Sequence, residues 1–210
     1  MKLKLTITLF FIAFSLVTHS QTVKNIDQVA PFSEDLAAIR KGDQWGFINK
    51  EGTLVIDFRD DLVWDKNVDD SKFGQLSRPH PLFENGMCLI YSTGEEGIPM
   101  YGFIDTTGKI AIEPEYLNIT SFDNGLALGI LCTKTFKGQN EFKLNIFEYK
   151  FSEVLIDTKG EIMEFIGRRD NILMTPRRYE QPNLRSKMLS GDLLAVWSKE
   201  KKWEVRKLEL

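Results

Sequence analysis

From Phe32 onward, apolar residues come in short alternating runs separated by clusters of turn-forming residues, and the same order recurs three times. The first copy reads FSEDLAAI, then GDQWGFINKEGTLVI. The second reads FENGMCLI from Phe83, then IPMYGFIDTTGKIAIEPEY. The third reads FDNGLALGI from Phe122, then EVLIDTKGEIMEFI. Each copy starts with an aromatic, a few polar residues and an alternating run. An apolar run ending in Asn or Asp follows, then two polar residues, a glycine and another alternating run. Period-two alternation in runs this short predicts strands with one buried face. Stretches of helix formers at 3.6-residue spacing are absent before about residue 176.

The punctuation between runs predicts the turns. Asn49 to Gly52, Asp105 to Gly108 and Asp157 to Gly160 each set an acid or amide three residues before a glycine. Asn and Asp open turns by accepting from the backbone ahead, and glycine takes the positive φ that ends them. Gly46-Phe47-Ile48 and Thr53 to Ile56 flank the first of these turns. Gly102-Phe103-Ile104 and Lys109 to Ile112 flank the second, and Pro114, having no N–H to give, is expected to close its strand. Glu34-Asp35, Glu84-Asn85-Gly86 and Asp123-Asn124-Gly125 form a second family of turns. Each unit is therefore expected to hold three strands: one after the first turn and a hairpin about the second.

A fainter fourth copy closes the chain. Residues Leu189 to Val196 match the first strand, and Lys201 to Val205 resemble the strand beginning Gln44-Trp45. Terminal repeats are often atypical because they cap a stack. Segments Phe58 to Leu82 and Thr135 to Lys150 pad the first and third copies. The expected fold is all-β: tandem degenerate hairpins or three-stranded repeats at about 32–57, 83–116, 122–166 and, in part, 189–206. They would form an elongated or solenoid-like antiparallel array, the alternative being a small propeller-like or sandwich arrangement.

These residues resemble the WG repeats. That family has a lysine- or aromatic-led Trp-Gly, then Phe-Ile-Asp, a turn glycine, and an apolar strand ending near Pro-x-Tyr. Here the matching residues are Gln44-Trp45-Gly46-Phe47-Ile48-Asn49, then Met100-Tyr101-Gly102-Phe103-Ile104-Asp105 with Pro114-Glu115-Tyr116, and Phe122 to Ala127 as a unit start. The resemblance covers roughly residues 30–165, with a trace at 189–206. In the third copy, Glu153-Val154-Leu155-Ile156-Asp157 lacks both the aromatic and the glycine. The resemblance implies a repeat scaffold and gives Trp45, Gly46, Phe47, Gly52, Tyr101, Gly102, Phe103, Gly108 and Gly160 structural roles. It implies no activity.

Residues 1–20 read as a cleavable export signal, of bacterial (Bacteroidetes-like) type. Lys2 and Lys4 precede an uncharged run from Leu5 to Val17, then Thr18-His19-Ser20, with cleavage expected after Ser20. The apolar run is shorter than the roughly 20 residues a spanning helix needs. No cysteine stands near the cleavage site to carry a lipid, so a soluble periplasmic or secreted product is expected. Residues 21–210 form the β domain. Removing Lys2 and Lys4 from 27 basic residues leaves 25 against 30 acidic, a formal charge of −5. That is an ordinary soluble surface and excludes a nucleic-acid footprint. Export permits a disulfide between Cys88 and Cys132. Their offsets from Gly86 and Gly125 place them on opposite strand faces, which favours two free thiols.

Candidate chemistry is sparse. His80 is the lone histidine after the signal, set between prolines, and reads as a loop residue. One histidine and two separated cysteines do not make a zinc site. Asp57, Asp60, Asp61, Asp65, Asp69 and Asp70 could serve acid–base or calcium chemistry, but they fit no calcium-loop spacing and read as a solvated loop. Asn118-Ile119-Thr120 matches a glycosylation sequon and is discounted in a bacterial chain. Trp45, Tyr101 and Trp203 occupy similar repeat positions. They are either aromatic platforms or, as favoured here, core residues tiling one interior. Residues 167–187 carry Arg168, Arg169, Arg177, Arg178, Arg185 and Lys187 against Asp170 and Glu180, a local charge of +4. This segment is an exposed connector or a site for an anionic partner, such as a lipid headgroup, acidic glycan or protein.

The leading expectation is a non-enzymatic, cofactor-free scaffold or binding protein contacting a protein or polymer of the bacterial envelope. It would bind no nucleic acid and keep no membrane span after cleavage. The alternatives are a carboxylate-based glycan hydrolase and an architectural or immunity-type partner of a secreted effector.

Overall fold

The computed structural model describes residues 23–68, 77–94 and 97–209. The export signal therefore lies outside the described residues, as do Asp69 and Asp70. The chain is all-β, with thirteen strands and no helix among the described residues. The first antiparallel sheet runs β1 (Gln28–Ser33), β2 (Leu36–Lys41), β3 (Gln44–Ile48) and β4 (Leu54–Arg59) in chain order. A six-stranded sheet holds β5 (Met87–Thr93), β6 (Pro99–Asp105), β7 (Ile110–Ile119), β8 (Leu126–Gln139), β9 (Asn145–Asp157) and β10 (Ile162–Arg169), again with neighbours in sequence. The last sheet is β11 (Ser186–Ser190), β12 (Leu193–Trp197) and β13 (Trp203–Lys207). None is closed into a barrel. The expected all-β repeat array is what forms.

Local chemistry sets the hairpins. Asn85-Gly86 and Asn124-Gly125 take positive φ at both turn positions, the mirror-image turn that matches strand twist. Glu34-Asp35 adopts the same shape without a glycine, at φ 47 and 67. At the second turns, Asn49 Oδ1 accepts from Thr53 N, Asp105 Oδ1 from Thr107 N and Lys109 N, and Asp157 Oδ1 from Lys159 N and Glu161 N. Gly52, Gly108 and Gly160 end these turns at φ 76, 83 and 80. The insertion Thr135–Lys150 is built from the same parts: it lengthens β8 and β9 into one long hairpin closed at Asn140.

Equivalent positions join one unit to the next. Phe83 meets Phe47 edge-on with ring centroids 4.8 Å apart, and Phe122 meets Phe103 at the same separation. The aromatic that opens each unit thus packs on the Phe of the preceding one. Phe32 has no preceding unit among the described residues and is 50% exposed. The turns are linked as well. Glu34 accepts from Asn85 N and Gly86 N at 2.6 and 2.7 Å, and Asn85 Oδ1 accepts from Gly125 N at 2.6 Å.

Apolar layers alternate with sheet. Cys88, Ile90 and Ile104 face a layer with Trp45, Phe47, Ile56 and Phe83. Their neighbours Leu89 and Phe103 face the next layer, with Ile112, Tyr116, Phe122, Val154 and Ile156. Leu128, Ile130 and Leu155 face a third, with Leu117, Leu184, Leu194 and Val196. The middle strands are buried on both faces, which explains the unbroken apolar runs in MCLI and LALGI. Cys88 lies in the first layer and Cys132 against the third, and the two form no disulfide.

Pro114 does not end its strand, contrary to expectation. β7 continues through it to Ile119, and the register against β6 jumps between the pairs Tyr101–Tyr116 and Phe103–Ile112. A bulge needs no ladder N–H from its extra residue, so proline is tolerated. Beyond it, β7 pairs with β8. Gly102 sits opposite the bulge; a Cβ there would lie 2.4 Å from Ile112 O and 2.7 Å from Pro114 N. Gly46 makes the matching close approach, at 2.9 Å from Ile56 O. The glycine of the Trp-Gly pair is thus set by backbone crowding. In the third unit the small residue has crossed to the partner strand. Gly129 faces Val154, where the earlier units pair Ile39 with Gly46 and Ile90 with Gly102.

Candidate functional site

A groove of about 550 Å³ lies where the third unit meets the fourth. The end of β10 supplies Arg168, the segment before β11 supplies Arg185, the β12–β13 turn supplies Lys199, and β13 supplies Arg206. Trp197 lines it too, with its ring centroid 5.2 Å from that of Trp203. Asp170, Glu200 and Glu204 leave the rim mixed in charge.

The floor is a buried ion pair. Arg169 Nη1 donates to Glu153 Oε2 at 2.6 Å and to Asn183 O at 2.8 Å. Glu153 Oε1 accepts from Arg185 N at 2.8 Å and from Ser186 Oγ at 2.5 Å. Glu153 is 1% exposed, so its charge is balanced by hydrogen bonds from three residues rather than by water. The pair ties β9, β10 and the chain entering β11 together, fixing the backbone from which Arg168 and Arg185 project.

The arginine-rich segment is thereby divided. Arg168 and Arg185 are exposed at the groove, whereas Arg169 is buried and committed to Glu153. Reading the whole segment as an exposed connector fails at Arg169: alternation along β10 turns it inward while Arg168 faces out. Arg177 and Arg178 lie apart, in the turn where Arg178 N bonds Thr175 O. Lys187 Nζ stands 4.8 Å from the centroid of the Trp203 ring, a cation–π contact.

The three aromatics at similar repeat positions do not share one fate. Trp45 is fully buried and Tyr101 is half-buried, but Trp203 is 41% exposed, contrary to its expected place in the core. Among the described residues no strand pairs with β13 beyond β12, so β13 is a sheet edge and Trp203 on it stays partly exposed. Glu153, Trp197, Lys199 and Arg206 were not legible as site residues. Glu153 opens the apolar run Val154-Leu155-Ile156, and an acid at the head of that run was the one hint of a buried partner.

The other sequence candidates are placed elsewhere. Asp60 and Asp61 border a groove of about 430 Å³ between the first and second units, with Tyr91 and Glu113. Arg59 donates from Nε and Nη2 to both Asp61 oxygens. His80 Nδ1 lies 3.2 Å from Pro81 O, and its ring sits beside Trp45. Asn118 is buried and its Nδ2 donates to Pro182 O at 2.9 Å, which removes it as a surface glycan acceptor. Among the described residues, no group of three or more His, Cys, Asp or Glu could hold a metal ion. No helix there is long and apolar enough to cross a membrane.

The architecture defines a tandem β-repeat protein, and comparison supports the kind of repeat. The family model described as "WG containing repeat" matches residues 24–45, 45–59 and 101–128, which supports reading the chain as a WG-repeat protein. No curated protein matches the sequence. The crystal structure of the computationally designed Ika4 protein aligns over 90% of this chain and 92% of its own, at 13% identity and a TM-score of 0.33. That likeness is too slight to carry an argument.

Proposed function

We propose that this chain is an exported, non-enzymatic β-repeat scaffold of the bacterial envelope, binding a protein or polymer at the groove between its third and fourth units. The observation that carries this reading is the buried Glu153–Arg169 pair beneath exposed Arg168 and Arg185. A site whose supporting backbone is locked holds its exposed guanidinium groups ready for bidentate contact with anionic groups. Trp197 beside them offers a flat apolar surface of the kind enriched where binding energy concentrates.

The test uses the mature protein as bait for envelope extracts at physiological salt, beside an Arg168→Glu/Arg185→Glu variant. A partner held by the wild type and released by the variant supports the groove. Recovery of no partner, or the same partners by both proteins, overturns it. The Asp60–Asp61 groove is the seat of the alternative, a glycan hydrolase. Glycan turnover that disappears in Asp60→Asn would establish that reading in place of the scaffold.

A further inference from the structure

Beyond Cys132 and before Phe151, β8 and β9 leave the six-stranded sheet and continue as a two-stranded ribbon. β7 meets β8 at Tyr116–Leu131 and Ile119–Gly129, and β10 meets β9 between Phe151 and Ile156. Among the described residues no strand pairs with either edge of the ribbon from Thr133 to Lys150. Such a ribbon standing alone in water is marginally stable.

Register sorts its side chains. Lys134 opposes Tyr149 and Phe136 opposes Phe147 on one face, while Thr133 opposes Lys150 and Thr135 opposes Glu148 on the other. The Phe136 and Phe147 rings meet edge-on at 5.7 Å, with Lys134 Nζ 4.2 Å from the Phe147 centroid. On the opposite face Glu148 holds Lys137 at 3.0 Å and Lys150 at 3.7 Å. The tip is a formed turn: Asn140 Oδ1 accepts from Phe142 N and Leu144 N, both at 2.9 Å, and Lys143 is left-handed at φ 59. It presents Phe142, 81% exposed, and Leu144, 63% exposed.

We propose that this hairpin is a membrane-surface anchor, with Phe142 and Leu144 entering the headgroup boundary of an anionic bilayer and Lys143 between them facing the lipid phosphates. Charge complementarity names the occupant. Lys134, Lys137, Lys143 and Lys150 stand against Glu141 and Glu148, a local +2 in a chain of net charge −3. Apolar side chains at a projecting tip, backed by basic ones, bind interfaces through apolar burial plus attraction to anionic lipid. Glu141 at the tip keeps the insertion shallow. The surface is separate from the arginine groove, so the two readings stand or fall apart.

The experiment is co-sedimentation of the full mature chain with vesicles of phosphatidylcholine mixed with phosphatidylglycerol, and with phosphatidylcholine alone. The wild type is expected to bind the mixed vesicles and to be released by salt. Phe142→Ser/Leu144→Ser should weaken binding at least about tenfold, with an unchanged thermal midpoint because both side chains are exposed. A Phe142→Trp variant should shift its emission to the blue on mixed vesicles. Absence of wild-type binding, equal binding to both vesicle types, or undiminished binding by the tip variant overturns the proposal. So does a wild-type dimer in sedimentation that the tip variant abolishes without any vesicle binding, because the hairpin would then join two copies of the chain.

Discussion

Replacing Glu153 by alanine would strip the groove floor of the buried carboxylate that pairs with Arg169. Three contacts vanish together: Arg169 Nη1 at 2.6 Å, Arg185 N at 2.8 Å and Ser186 Oγ at 2.5 Å. Arg169 keeps a bond to Asn183 O but remains a buried cation without a counter-ion. Breaking a buried pair from one side costs about 3–5 kcal/mol, because the remaining charge stays desolvated. At about 2–4 °C per kcal/mol for a chain of this size, the thermal midpoint should fall by roughly 6–20 °C. Arg169→Ala should cost less, about 2 kcal/mol, since Glu153 would retain its hydrogen bonds from Arg185 N and Ser186 Oγ. The double variant should then be less damaged than the sum, with a coupling of about 2 kcal/mol. Urea unfolding of wild type, both single variants and the double variant measures all four corners. A loss under about 1 kcal/mol for Glu153→Ala, or additive single effects, would refute the view that this pair holds the third and fourth units together.

Two further outcomes follow from the packing. Gly102→Ala should destabilise by about 1–3 kcal/mol and more than Gly46→Ala, because its Cβ would meet backbone atoms at 2.4 Å rather than 2.9 Å. Equal urea midpoints for the two variants would contradict the crowding argument. Burial pushes the Cys88 thiol up from 9.0 to about 12, so above pH 9 the unfolded chain sheds this proton while the folded chain keeps it. The native state then holds more protons, and stability should fall as pH rises from 9 toward 12. Cys88→Ala should flatten that decline, and in the folded protein a thiol reagent should modify Cys132 well before Cys88.

The hairpins were legible because a turn is a local event. Asn49, Asp105 and Asp157 bond amide groups within four residues of themselves, and the glycines that follow take a conformation few other residues accept. The faces of Cys88 and Cys132 were legible for the same reason, since strand parity needs only counting. Pro114 misled, because a proline that ends an isolated strand is tolerated where the partner strand is out of register. Whether a bulge sits there depends on Gly102 across the sheet.

The sequence by itself determined the all-β class, the order of the units and the turns that divide them, since each rests on residues a few positions apart. Only the tertiary structure decided how the arginine-rich segment is used. Arg169 turns inward because Glu153, sixteen residues earlier, is carried beneath it by an antiparallel neighbour. Arg168 and Arg185 meet Trp197 and Arg206 because the fourth unit docks on the third. Such groupings depend on how separate hairpins stack, and that is set by apolar layers drawn from the whole chain.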